Sequence, residues 1–230
     1  MNSGPNIGFR VRTKIQRPDQ ELVDAFKGWP IGNICDANGR LGAMHHQIKP
    51  LNPAWRFVGT AVTVRARPVD NLLVYKALQL VQPGDVLVIT NDGSSATSVF
   101  GDLVVSIARA RGVAAMVTDG MARDGAGILE VDLPVFVRGL NANGPYKDGP
   151  GEVNFPISCG GIPVHPGDIL AGDGDGVVVV RREDAPFVAK NLEKIIQKES
   201  QTAERIATGQ YFLDWIDEVL MEKGIQIIES

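Results

Sequence analysis

Asp85–Thr90 (DVLVIT), Asp102–Arg111 (DLVVSIARAR) and Val113–Thr118 (VAAMVT) decide the fold. The first and third runs are short and continuously apolar, as strands covered on both faces are. Between them the apolar residues recur at helical spacing, and Gly112 stands where a left-handed helix cap is favoured. Pro83 and Gly84 turn the chain into the first run, and Asn91–Phe100 is a polar loop of small residues. Strand, helix and strand with short joints form a βαβ unit, which predicts a parallel pair with a right-handed crossover. Pro134–Val137 supplies a third strand.

Upstream, Phe57–Ala66 (FVGTAVTVRA) is rich in β-branched residues and predicts a further strand between Pro53 and Pro68. Asp70 can cap a following helix on which Leu73, Ala77 and Leu80 share a face. Arg17–Lys27 reads as a short helix with Pro18 in its first turn, and Ile34–Ala37 as another. Downstream the period changes. Leu140–Gly151 is a Gly/Pro loop, and Val153–Arg181 holds short β pieces broken by Pro163, Pro166 and the turn Gly172–Gly176. Val177–Val180 is wholly apolar and predicts a central strand. Glu183–Ala207 and Tyr211–Glu222 have mixed charge at helical spacing. On the first of these, Phe187, Val188, Leu192 and Ile195 form a stripe suited to core or subunit contact. The expected division is a core domain over residues 1–181 and a C-terminal helical extension over 182–230.

Composition bounds the function. At roughly 150 residues per domain, 230 residues make about one and a half domains. Charged residues at 22%, apolar residues at 44% and a mean hydropathy of +0.00 describe a chain able to bury a core. With 23 basic and 27 acidic residues the net charge is −4, so nucleic acid is not the expected partner. Cys35 and Cys159 stand far apart without C-x-x-C spacing, which encodes neither a disulfide framework nor a zinc knuckle. The opening MNSGPNIGFRVR lacks a signal-like apolar stretch, and no window reaches the roughly 18 apolar residues of a membrane span. A cytoplasmic protein without membrane contact is expected. The 26 glycines and 14 prolines mean many turns, where sites are built on a rigid scaffold.

Two stretches could carry chemistry. Gly101, Asp102, Leu103 and Val104 open the central helix, where unpaired N–H groups and the positive dipole end can hold a carboxylate or phosphate. Alternatively, Asp102 caps its own helix. Asp119–Asp124 (DGMARD) follows a strand at its carboxyl end, where open α/β sheets place ligands. Adjacent residues of an extended segment point to opposite sides, so Arg123 and Asp124 are not expected to pair with each other. Arg123 suits a carboxylate or an enolate oxygen, and Asp124 suits a hard divalent cation. A solvated surface turn would show the same residues. His45, His46 and His165 lack a carboxylate or thiolate at ligand spacing and are expected to be structural or surface groups. Gly172–Gly176 lacks the calcium-loop register and reads as a hairpin turn. Neither a G-x-G-x-x-G loop nor a G-x-S-x-G elbow is present.

Gly101-Asp102 followed by Asp119-Gly120-x-x-Arg123-Asp124 resembles the 4-hydroxy-4-methyl-2-oxoglutarate / 4-carboxy-4-hydroxy-2-oxoadipate aldolases and their RraA-like relatives. Gly59–Val64, Pro83–Val88, Pro134–Phe136, Pro166–Ile169 and Asp173–Val180 stand in the same order as in that family, so the likeness runs from about Pro30 to Arg181. Gly144–Asn154 and the terminal helices are nearer the aldolase branch than the shorter ribonuclease regulators. The resemblance implies a layered α-β-β-α sandwich of the swivelling β/α/β type, assembled as a homotrimer or homohexamer with sites at subunit boundaries.

It also implies a metal-dependent (class II) pyruvate aldolase acting on a small 2-oxo acid, with Mg²⁺ or Mn²⁺ as cofactor. Asp124 would hold the metal, largely through water, and Arg123 would bind the keto oxygen and stabilise the enolate. The N–H groups of Leu103 and Val104, beside Gly101, would hold the pyruvyl carboxylate, while Asp102 would order water or relay a proton. Aldol cleavage and oxaloacetate decarboxylation share one enolate, so both activities are expected and no Schiff-base lysine is required. Asp102 through water, a metal-bound hydroxide, or Glu199 from a neighbouring subunit could deprotonate the C4 hydroxyl. A non-catalytic regulator of ribonuclease E is the alternative.

Overall fold

The chain opens with strand β1 (Phe9–Val11) and helices α1 (Gln20–Asp24) and α2 (Ile31–Ala37). Short β2 (Lys49–Pro50) precedes β3 (Phe57–Ala66), α3 (Leu72–Leu78) and β4 (Asp85–Thr90). Next come β5 (Ser98–Phe100), α4 (Asp102–Ala110), β6 (Ala115–Thr118), β7 (Met121–Ala122) and α5 (Gly125–Val131). Three strands follow, β8 (Val135–Val137), β9 (Gly139–Leu140) and β10 (Gly151–Val153). Two hairpins then form, β11 (Ile157–Cys159) with β12 (Ile162–Val164) and β13 (Ile169–Asp173) with β14 (Gly176–Val180). Helices α6 (Ala185–Ala207) and α7 (Trp215–Glu222) close the chain. This computed structural model describes residues 6–210, 213 and 215–228, so Tyr211, at the expected start of the last helix, lies outside the described residues.

The apolar runs pair as their sequence predicts. β3, β4, β6 and β8 lie side by side and parallel in a nine-stranded sheet, seven strands of which run in the order β1-β10-β3-β4-β6-β8-β2 while β13 pairs with β3 and carries β14. Their side chains alternate with period two. Val62, Leu87, Ile89, Met116 and Val135 face the buried stripes of α3, α4 and α5. On the other face Ala61, Val86, Val88, Val117 and Phe136 meet Ile157, Cys159, Leu170, Val177 and Val179 from the two hairpins. α2 packs in turn against β13 and β14, completing the mixed, layered α/β architecture that was expected.

Several local readings change. The helix expected over Arg17–Lys27 shrinks to Gln20–Asp24, and Arg17 instead donates to both carboxylate oxygens of buried Asp85 at 2.9 and 2.7 Å. Val177–Val180 is not a central strand: β14 pairs with β13 alone, and the backbone of Gly42 and Met44 meets its other edge. Burial on both faces therefore comes from packing, which an apolar run cannot distinguish from a central position in the ladder. Phe187 leaves its expected stripe and is 68% exposed, whereas Val188 and Leu192 are buried. Asp70 is not the N-cap of α3, which is Asn71, but it stands one residue earlier and accepts from Leu72 N at 2.9 Å. Its other carboxylate oxygen accepts from Asp148 N and Gly149 N, tying down the Gly/Pro loop.

Contacts divide the chain into residues 1–192 and 193–230. The division falls inside α6, beyond Arg181, because Ala185, Val188 and Leu192 are buried. In the second unit the rest of α6 and α7 expose Ile206, Trp215 and Met221. Among the described residues no helix is long and apolar enough to cross a membrane.

Candidate active site

Beyond β4, β6 and β8 the chain runs into β5, β7 and β9, which form a second parallel sheet in the order β5-β7-β9. Its strands are too short to stand on their own ladder bonds. Side chains lock them: Ser98 Oγ donates to Asn143 O at 2.8 Å, Asn141 Nδ2 to Ser95 O at 2.7 Å and Asn143 Nδ2 to Ala96 O at 3.3 Å. This frame brings the two sequence stretches together, with Arg123 N donating to Phe100 O at 3.0 Å.

Gly101 is the extended N-cap of α4, at φ −131° and ψ −168°. A Cβ at this position would run into the Asp124 carboxylate and lie 3.1 Å from Arg123 Cγ. Only glycine lets the two segments approach so closely. On another side of Arg123, a Cβ on Gly144 would come within 2.9 Å of Nη1. The guanidinium therefore lies against two glycines from different loops, a constraint invisible in either loop alone. The Asp102 side chain lies against Gly127 of α5.

Arg123 and Asp124 do pair, contrary to expectation, with Nε and Oδ2 3.3 Å apart. Asp124 adopts a left-handed conformation, φ 58° and ψ 42°, so its side chain folds back instead of alternating. Such a conformation costs most non-glycine residues about 1 kcal/mol or more, and Asp is among the side chains that tolerate it. Both side chains remain about half-exposed, open to a ligand.

The N–H groups expected to receive a carboxylate already have partners. Leu103 N donates to Asp102 Oδ1 at 2.7 Å, and Val104 N to Gly101 O at 3.1 Å. Val104 is buried, whereas the Leu103 side chain is 75% exposed. Asp102, the first residue inside the helix and not its cap, thus occupies a donor that an anion would otherwise take.

Sequence reasoning missed α5 and the β5-β7-β9 sheet. The small residues Gly125, Ala126 and Gly127 hid the helix, and strands of two or three residues carry no periodic signal. Of the histidines, His165 does have a carboxylate neighbour, with Nδ1 3.5 Å from Asp168 Oδ2. That carboxylate also accepts the backbone N–H groups of His165 and Arg182, which makes it a loop clamp. Among the described residues no group of three or more His, Cys, Asp or Glu could hold a metal. A divalent cation at Asp124 would therefore rest on one or two carboxylates, water and substrate. That donor set fits Mg²⁺, which keeps several waters in such sites.

A parallel α/β core carrying an Arg-Asp turn against a helix N-terminus defines the class. The family model RraA-like (Aldolase/RraA) matches residues 31–179, and the chain belongs to this family. A Halalkalibacterium halodurans protein named "putative 4-hydroxy-4-methyl-2-oxoglutarate aldolase" is 38% identical over 174 residues, covering 76% of this chain and 83% of its own. Among solved structures, an uncharacterised Pseudomonas syringae protein superposes with a TM-score of 0.75 at 28% identity, over 85% of this chain and 96% of its own. Streptomyces coelicolor RraAS2, described as an unusual member of an RNase ES inhibitor family, gives 0.74 at 29% identity, over 82% and 100%.

Proposed function

We propose that the chain is a divalent-metal-dependent pyruvate aldolase that cleaves 4-hydroxy-4-methyl-2-oxoglutarate or 4-carboxy-4-hydroxy-2-oxoadipate and also decarboxylates oxaloacetate. The observation that carries this is the Arg123–Asp124 turn, folded back against Gly101 at the start of α4. Arg123 donates to the keto oxygen of the pyruvyl half, where negative charge develops as the C–C bond breaks. The pyruvyl carboxylate takes the Leu103 N–H, and Asp102 Oδ1 gives up that donor to it. The C4 hydroxyl passes its proton to water, C4–O becomes the carbonyl of the second product as the C3–C4 electron pair passes into the pyruvate enolate, and C3 takes a proton back from water to give pyruvate. Asp102, freed of the Leu103 N–H by the substrate carboxylate, would relay that proton through water. Asp124 would hold the cation, largely through water; a cation there supplies Lewis-acid stabilisation of the same oxygen.

The exposed side chains of Leu103, Ile107, Leu129 and Leu140 border these elements and support a homotrimer or homohexamer closing over the site. Light scattering after size exclusion tests that assembly. Pyruvate release from oxaloacetate and from the branched 4-hydroxy-2-oxo acids tests the activity. Turnover is expected to vanish with EDTA and return with Mg²⁺ or Mn²⁺; turnover unaffected by chelation would overturn the metal-dependent reading. The likeness to RraAS2 favours a second reading, a regulator that binds a ribonuclease without chemistry. Capture of ribonuclease E by a chain with no lyase turnover would establish it.

A further inference from the structure

Asp119 stands five positions before Asp124 but serves another part of the molecule. It lines a cavity of about 370 Å³ together with His45, Asp92, Arg138, Ser158 and Gly161. Three of these residues leave neighbouring parallel strands at their carboxyl ends: Asp92 after β4, Asp119 after β6 and Arg138 after β8. That end of an open α/β sheet is where small ligands sit, and the volume is within the range of ligand pockets. Ser158 comes from β11, and Gly161 from its turn into β12. These elements border the hairpin-side core with Met44, Ile48 and Cys159, whereas Val104 and Ile128, beside the proposed aldolase site, belong to the helix-side core.

The cavity holds one cation and one buried carboxyl, each bound only by neutral groups among the described residues. Arg138 donates Nη1 to Gly93 O and Nη2 to Gln47 Oε1, both at 3.0 Å, which leaves N–H donors and the whole charge for a ligand. Asp119 is 8% exposed and accepts from Thr90 Oγ1 at 2.8 Å and Asn91 N at 3.2 Å, with the backbone N–H groups of Gly93 and Gly160 also directed at it. Burial pushes its carboxyl above the usual range, against the hydrogen bonds it accepts. The second carboxylate, Asp92, faces Arg65 at 3.6 Å. An anion without a hydroxyl would bring no donor to Asp119, and an uncharged polyol would leave Arg138 unanswered.

We propose that this cavity binds a small hydroxylated anion, with its carboxylate or phosphate on Arg138 and a hydroxyl donating to Asp119. Ser158 and His45 also line the cavity and are further polar partners for it. Hydroxycarboxylates and polyol phosphates share this chemistry. The site uses none of Gly101, Asp102, Arg123 or Asp124, so it stands whether or not the chain is an aldolase.

Isothermal titration of the full chain with glycerate and with glycerol 3-phosphate tests the proposal, with inorganic phosphate, acetate and glycerol as comparisons. Saturable binding of at least one hydroxylated anion is expected, about 10-fold or more tighter than any comparison compound. Preference for glycerate identifies the carboxylate source and preference for glycerol 3-phosphate the phosphate source. Arg138→Gln should weaken binding about 10-fold or more, as expected for loss of a charge-assisted contact. Because Arg138 also ties two loops together, Ser158→Phe provides a second variant that fills the cavity from an exposed position. It should abolish binding with the thermal midpoint unchanged. Arg123→Ala should bind as the parent does, even where pyruvate release is lost. Absence of saturation up to roughly 10 mM, parent-like binding by both cavity variants, or loss of binding in Arg123→Ala would overturn the proposal.

Discussion

Asp119 and Asp124 flank the same short strand end, and the molecule treats them in opposite ways. Asp124 is left-handed, about half-exposed and paired with its neighbour Arg123, so its charge is kept near solvent. Asp119 is sunk to 8% exposure and held by Thr90 and Asn91, neutral groups at the end of the adjacent strand. The difference shows how one βα junction can serve two faces of a sheet. β7, between them, carries the chain out of the main sheet and into the smaller one. What lies before it remains under the hairpins, and what lies after it reaches the helix N-termini.

The sharpest way to break this contrast is Arg123→Ala. It should lower kcat/KM for pyruvate release about 10²–10³-fold, as loss of an oxyanion-stabilising donor does. The same change should move folding stability by no more than about 1 kcal/mol, because an exposed ion pair contributes little. Steady-state kinetics and thermal unfolding on one sample read both; a large stability loss would mean that the pair is structural. Next in size is Gly101→Ala, whose methyl group would push against Arg123 and the Asp124 carboxylate. A loss of about 10–100-fold in turnover is expected, since small displacements of a positioned group are expensive. Unchanged turnover would show that the close approach is incidental.

Asp119→Asn gives the smallest effect and is read by pH. Burial raises the Asp119 pKa, so the folded chain holds that proton more tightly than the unfolded chain does. The stability from this linkage is fully present below the ordinary value of 3.8 and is lost as pH rises through the raised folded value. The variant lacks it. Lowering the pH from about 7 to about 4 should therefore shift the difference in thermal midpoint in the parent's favour. A difference independent of pH would mean that burial does not hold a proton on Asp119.

Much of this was legible in the sequence. Phe57–Ala66 and Asp85–Thr90 form strands with the bounds read from their apolar and β-branched runs, and Gly112 takes the positive φ of 76° expected of a cap. The hairpin expected at Gly172–Gly176 joins β13 to β14 through Gly174 and Asp175, with Gly176 at positive φ. The site was legible as residue types in order but not as geometry. The Arg123–Asp124 pairing depends on one residue leaving the extended region, which alternation arguments cannot foresee. Likewise, the donors of Leu103 and Val104 were counted as free because a helix start leaves them unpaired in principle, whereas Asp102 and Gly101 take them here.

The sequence by itself determined the parallel core and its family. Buried strands must be apolar, and crossing helices must show one apolar stripe, whatever lies around them. Tertiary structure alone decided that β14 is an edge strand buried by packing, that Gly101 and Gly144 meet the same guanidinium, and that Asp92, Asp119 and Arg138 share one cavity. These are contacts between segments far apart in the chain. Local pattern carries no record of them, because burial and approach distance are properties of what the fold brings together.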